Sequence, residues 1–185
     1  GPVYAERAIP IGQNATAGEV HDELALLGGE MLLECLPGIA AGALRAAPQN
    51  DALATYAPKL SKADGRIDFN RPAREVHNHV RGVSPWPGAW CELRREGGEK
   101  DDLVRVRVCP GGVAANDLFP EGAGETPGTV LGATEDGLAV RCADGVYLIP
   151  KLCPADSKMM GALEFACGYL NHVEACRVIG LDDEE

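Results

Sequence analysis

The sequence contains no apolar run of the roughly 18–20 residues that a membrane-spanning helix requires. It has no basic segment ahead of an apolar stretch at its start. A membrane protein and a secreted precursor are therefore not expected. Aromatic residues make up only 5% of the 185 residues, so any stacking surface must rest on very few positions. The seven cysteines (35, 91, 109, 142, 153, 167 and 176) are odd in number and include no C-x-x-C. That pattern reads as reduced, mostly buried thiols in a cytoplasmic protein rather than a disulfide scaffold. Positive charge is scarce. A net charge of −11 argues against non-specific binding to nucleic acid, DNA included, by bulk electrostatics.

Signatures of chemistry are missing as well. There is no P-loop, no G-x-S-x-G and no cysteine in the local setting of a nucleophile. His21, His77, His79 and His172 have no matching triad partners by spacing. His77-x-His79 would face opposite sides of a helix. His172 and Cys176 lie four apart on an expected last helix, with Cys167 further back, but two ligands are too few for zinc. No catalytic residue, metal ligand or cofactor site is expected within the chain.

What is present is an ordinary globular composition, 45% apolar and 24% charged, long enough for one good core or a small domain plus a piece of another. The charge is unevenly spread. Lys59, Lys62, Arg66, Arg71, Arg74 and Arg81, set against Asp64, Asp68 and Glu75, form the one stretch with a positive balance. By itself such a cluster is most simply a solvated face.

Residues 3–9 (VYAERAI) read as a strand closed by Pro10. Thr16 and Glu19 form a T-x-x-E capping box that opens a helix. Apolar residues at 20, 24, 27, 31 and 35 give that helix a stripe, and Pro37 and Gly38 unsettle its end. One strand and one helix cannot bury such a stripe unaided, so the chain reads as starting inside a domain whose earlier part is absent. Residues 42–63 lack periodicity and read as a linker with a brief ordered middle. Asn70, followed by Pro72, is expected to cap a second helix. Ala73, Val76 and Val80 form its apolar side, while Arg74, Asn78 and Arg81 share a polar face.

From Trp86 the period changes to two. Strands are expected at 88–93, 103–108 (LVRVRV), 127–132, 137–142 and 145–152. Turns are expected at Asp136-Gly137 and Asp144-Gly145, a long exposed loop over 110–125, and a last helix from Met159 to about Val173. The fold class is α+β, mainly β, with a partly open OB-like β-barrel and flanking helices as the natural candidate. Ser84-Pro85-Trp86-Pro87-Gly88-Ala89-Trp90, with two prolines flanking Trp86, reads either as a rigid hinge plugging the end of that barrel or as a stacking platform for a base or a folate-like ring.

Thr55-Tyr56-Ala57-Pro58-Lys59-Leu60-Ser61-Lys62, followed by Gly65-Arg66-Ile67-Asp68-Phe69, closely resembles the methionyl-tRNA formyltransferases. So do Pro72-Ala73, His77-Asn78-His79-Val80-Arg81, Pro85-Trp86-Pro87-Gly88-Ala89, Pro127-Gly128-Thr129-Val130, Asp144-Gly145 and the stretch Leu152, Pro154, Lys158-Met159-Met160, Phe165. The resemblance covers essentially residues 1–170. It implies that a Rossmann-like domain upstream binds 10-formyltetrahydrofolate and supplies the reacting Asn, His and Asp, with Gly1-Pro2 resembling the end of its D-T-G-P stretch. It divides the chain into the terminal strand and helix of that domain (1–45), a linker (46–63), an OB-like tRNA-binding domain (64–180) and an acidic tail (181–185).

The implied reaction moves a formyl group from 10-formyltetrahydrofolate to the amino group of methionyl initiator tRNA. This part would position the tRNA, bind no cofactor itself and be inactive alone; the whole enzyme would be a cytoplasmic monomer. The family's tRNA contacts fall here on Lys59, Lys62 and Lys158. Arg66, Arg74 and Arg81 join them from the charge distribution and the shared helix face. The acidic balance and the single lysine of Ser157-Lys158 imply a narrow track whose affinity falls steeply with salt. Formyltransferases acting on amino-sugar nucleotides, and enzymes that hydrolyse or oxidise 10-formyltetrahydrofolate, resemble the His77–Arg81 and Pro87-Gly88-Ala89 regions too. A stand-alone OB-like binding module is the reading from another class.

Overall fold

In a computed structural model the described residues are 1–95, 103–115, 126–170 and 176–178. They fall into two compact units, Gly1–Leu60 and Ser61–Glu185.

The first unit is built around helix α1, Ala17–Ala40. Its capping box forms as the sequence predicts: the Glu19 N–H donates to Thr16 Oγ1 at 3.2 Å, and the Thr16 N–H donates to the Glu19 carboxylate at 2.8 Å. Hydrogen bonds from Thr16 hold the Glu19 carboxyl below its ordinary range. The helix passes through Pro37 and ends at Ala41, whose N–H reaches the Pro37 carbonyl. No residue of α1 is buried, and the stripe at 20, 24, 27, 31 and 35 is at best half-covered.

The strand expected at 3–9 does not form. Val3 makes one isolated antiparallel bridge to Ala47, with both backbone bonds at 2.8 Å. A strand exists only as part of a ladder, and Tyr4 to Ile9 have no ladder partner among the described residues. A short 3₁₀ turn at Asp51–Leu53, capped by Asn50, is the ordered element in the following segment.

The second unit carries the core. A 3₁₀ turn at Ala63–Gly65 precedes helix α2, Ala73–Gly82. Strands β1 (Ala89–Arg95), β2 (Leu103–Val108) and β3 (Gly112–Val113) follow, then β4 (Val130–Ala133), β5 (Leu138–Arg141), β6 (Val146–Ile149), β7 (Lys151–Pro154) and β8 (Met160–Gly161). Helix α3 (Ala162–Tyr169) and strand β9 (Cys176–Val178) complete it.

All ladders between these strands are antiparallel. They make a five-stranded sheet of order β8-β7-β2-β1-β9 and a four-stranded sheet of order β3-β6-β5-β4. Among the described residues no ladder joins the two sheets, so the architecture is a mixed α+β one with two antiparallel sheets rather than a closed barrel. Their inner faces and the apolar sides of α2 and α3 meet in one core that includes Ile67, Val76, Val80, Val106, Val140, Tyr147, Leu152 and Phe165.

Several elements depart from their expected limits. The run 145–152 is not one strand: Pro150 has no N–H to donate, and there the chain leaves β6 in one sheet for β7 in the other. Part of the loop expected at 110–125 is sheet, because Gly112–Val113 pairs with β6; residues 116–125 lie outside the described residues. Asn70 does not cap α2. Its N–H turns back to Asp68 Oδ1 at 3.0 Å, and Pro72 occupies the cap position. The last helix begins three residues late, at Ala162, because Met160–Gly161 first pairs with β7. Cys176 is in β9 rather than on a helix, and His172 and the tail 181–185 lie outside the described residues.

Among the described residues six thiols are unpaired: Cys91, Cys142 and Cys153 are buried, Cys35 and Cys109 half-buried and Cys167 exposed. No described helix is long and apolar enough to cross a membrane.

Candidate nucleic-acid interface

The basic stretch enters the second unit through a tightly fixed turn. Asp64 accepts the N–H and the hydroxyl of Ser61 at 2.6 and 2.7 Å, and these bonds hold its carboxyl below the ordinary range. Gly65 is buried against the β1 approach, where an added Cβ would run into the Gly88 carbonyl. The next residues lie alongside β1: Arg66 bridges to Trp90 in parallel, and the Ile67 N–H donates to the Trp90 carbonyl at 2.9 Å.

Trp90 is the centre of this region. Its indole N–H donates to the Lys62 carbonyl at 2.8 Å, which fixes the ring. Two guanidinium groups lie over that ring, Arg105 at 4.2 Å and Arg66 at 5.8 Å from its centroid. Such cation–π contacts strengthen when water is excluded. Arg105 is held by Glu92, its partner across β1 and β2, through Nε at 2.9 Å and Nη2 at 2.7 Å.

Register extends the surface. Trp90 pairs with Arg107 on β2, and Arg107 pairs with Cys153 on β7; directly opposed residues share a sheet face. Arg107 Nη2 lies 3.5 Å from Cys153 Sγ. The outer face of the five-stranded sheet is thus an arginine-rich surface around one indole, while Cys91, Leu93, Val106 and Val108 turn inward.

The structure treats the expected contact residues unequally. Lys62 and Arg66 come together at Trp90. Lys59 is exposed one residue before the end of the first unit. Lys158 is exposed in the turn between β7 and β8, following Asp156 in the left-handed region (φ 59°) and Ser157, whose hydroxyl meets Tyr169 at 2.9 Å. Arg74 is exposed in the first turn of α2, and half-buried Arg81 donates through Nε to Asn78 at 2.9 Å.

Sequence reasoning missed Arg105 and Arg107. The alternation of LVRVRV places both on one face, but their neighbour Trp90 is set by pairing across the sheet. Of the two tryptophans in the Ser84–Trp90 segment, Trp86 lies between the cis Ser84-Pro85 and Trp86-Pro87 bonds and is 57% exposed, whereas Trp90 is the one held by Lys62 and flanked by arginines.

The histidines of α2 separate as their spacing predicts. His77 is buried, its ring 6.1 Å from that of Tyr147. His79 points toward the Asp64–Arg66 turn. Burial, and then the Arg71 guanidinium, hold its pKa below the ordinary value, against the opposing pull of the Arg66 and Gly65 backbone. Among the described residues no group of three or more His, Cys, Asp or Glu could hold a metal ion.

Two antiparallel sheets thus pack around one core, with an indole among arginines on the outer face of the five-stranded one. The chain belongs to the family described as "Formyl transferase, C-terminal domain", which matches residues 59–170. Over 174 residues it is 48% identical to a methionyl-tRNA formyltransferase of Nitratidesulfovibrio vulgaris (strain DP4), covering 94% of this chain and 51% of that protein. It is 42% identical over 168 residues to a methionyl-tRNA formyltransferase of Pelobacter propionicus, covering 91% of this chain and 48% of that one. The chain therefore spans about half the length of these curated relatives. Among solved structures it is similar to HypX from Aquifex aeolicus in complex with tetrahydrofolic acid, with a TM-score of 0.65, 19% identity and coverage of 100% of this chain and 30% of that one.

Proposed function

We propose that this chain is the tRNA-positioning part of a methionyl-tRNA formyltransferase. What carries the reading is that the likeness to those enzymes runs through the basic stretch from Lys59, and that this stretch continues into the arginine-flanked indole of Trp90. Phosphate contacts from Lys59, Lys62, Arg66, Arg74, Arg81 and Lys158 would set the register of a tRNA without reading its bases.

Formyl transfer to a methionyl amine needs donors converging on the formyl oxygen and a group to take the amine proton. The donor, 10-formyltetrahydrofolate, and the chemistry are assigned to the half of the relatives that this chain does not match. Residues 1–45 would complete that catalytic domain, 46–63 link it onward, and 64–180 form an OB-like module of which the two sheets are the halves, ending in the acidic tail 181–185. The whole enzyme would be a cytoplasmic monomer.

A gel shift with initiator tRNA at several salt concentrations tests the reading. Binding without formyl transfer is expected, with transfer restored when the remaining part of the enzyme is supplied. Changing Lys59, Lys62 and Lys158 to Ala should flatten the log–log salt slope by roughly one unit for each phosphate interaction removed. An unchanged slope and affinity would refute the set of binding residues, and turnover of the donor by this chain alone would refute the division of labour.

A further inference from the structure

A cavity of about 400 Å³ opens beside Trp90, lined in part by Asp64, Arg66, Asp68, Arg71, His79 and the indole itself. Its carboxylates are engaged. Asp64 is held by Ser61, while Asp68 accepts the Asn70 N–H at 3.0 Å and lies 3.6 Å from Arg71. The cavity therefore presents a planar apolar ring, guanidinium groups and an imidazole. His79 Nε2 is buried without a well-aligned hydrogen bond, beside the Gly65 and Arg66 backbone, a state that costs free energy until something pairs with it.

We propose that this cavity takes one unpaired nucleotide of the bound RNA, its base against Trp90 and within reach of His79, its phosphate on Arg66 and Arg71. The proposal rests on the tRNA reading above and adds a base-accepting subsite to it. A planar ring joined to an anion is the ligand that uses all three features. An acidic peptide would leave the indole and the imidazole idle. Unpaired bases are recognised by stacking on aromatic rings and guanidinium planes. Arg105, tied to Glu92, is a positioning residue that holds the indole and does not itself touch the nucleotide.

The chain has two tryptophans, so Trp86→Phe leaves Trp90 as its only indole. Emission is followed while the chain is titrated with initiator tRNA, with a single-stranded RNA hexanucleotide, and with a blunt RNA duplex of equal charge. Quenching by the first two and not by the duplex is expected, and Arg71→Ala and His79→Ala should each weaken hexanucleotide binding about tenfold with unchanged circular dichroism. The indole N–H resonance of Trp90 in the unsubstituted chain gives the same reading without a substitution.

If tRNA is retained on the gel while the Trp90 signals stay unmoved, the subsite is wrong and the tRNA reading stands. If the hexanucleotide perturbs Trp90 but tRNA does not bind, the subsite stands and the tRNA reading falls. Binding of neither overturns both, and equal quenching by the duplex overturns the requirement for an unpaired base.

Discussion

Asp144 Oδ1 accepts the backbone N–H of Ala73 at 2.7 Å, across 71 positions of sequence. Ala73 is the first residue of α2, and Pro72 at the cap position has no side-chain bond to offer. The turn between β5 and β6, closed by the Cys142 N–H on the Gly145 carbonyl at 2.7 Å, thus supplies the cap that the helix lacks locally. A carboxylate there also complements the positive end of the helix dipole.

Asp144→Ala should therefore destabilise the second unit by about 1 kcal/mol, the usual worth of an N-cap, and Asp144→Asn by less because an acceptor oxygen remains. The measurement is urea unfolding. The midpoint falls with the slope unchanged, and a midpoint equal to that of the parent chain would show that the bond contributes nothing.

Gly65→Ala probes how the basic stretch is seated. The new methyl group would meet the Gly88 carbonyl and lie 3.1 Å from the Trp90 ring. Backbone cannot yield as a flexible side-chain tip does, so the substitution should cost about 1–3 kcal/mol. The shift should extend to Trp90, whose near-ultraviolet circular dichroism changes if the turn moves. A stable variant with an unchanged tryptophan signal would contradict the seating of Gly65 described above.

Burial pushes the thiols of Cys91 and Cys142 up to about 12, from an ordinary value of 9.0, and the Tyr147 hydroxyl to about 12 from 10.0. Below about pH 8 both native and unfolded chains keep these protons, and stability does not depend on them. Above it the unfolded chain releases protons that the native chain retains. Stability must then fall as pH rises from about 8 toward 12. Urea midpoints at pH 8 and pH 10.5 should show that fall, and Cys91→Ala should reduce its steepness. At pH 8 the exposed Cys167 should react with a thiol reagent well before Cys91 or Cys142 does.

Local features of the chain were legible and non-local ones were not. The α1 cap lies within four residues, Thr16 to Glu19, and could be read directly. The α2 cap could not, because its acceptor is Asp144 and only the folded core brings it to Ala73. The alternation over 145–152 is real on both sides of Pro150, yet period alone does not reveal that its halves belong to different sheets. The same limit applies to the interface. Lys62 and Arg66 stand out by charge against an acidic background, whereas Arg105 and Arg107 acquire meaning only through their register with Glu92 and Trp90. Two prolines drew attention to Trp86, but the tryptophan fixed by a hydrogen bond and flanked by arginines is Trp90.

Helix α1 carries the last prediction. Leu26 and Leu33 are 74% and 73% exposed, and Leu24, Leu32 and Leu36 are exposed beside them. Burying apolar surface is worth roughly 25 cal/mol per Å², and contiguous apolar patches of this kind drive association. The chain should self-associate as its concentration rises. Light scattering should give a mass above 19.5 kDa that returns toward it on dilution. Leu26→Glu with Leu33→Glu should restore the monomer without lowering the urea midpoint of the second unit, since neither leucine belongs to that core. A parent chain that stays monomeric at high concentration, with amides protected from exchange throughout 16–36, would show that this helix is satisfied as it stands.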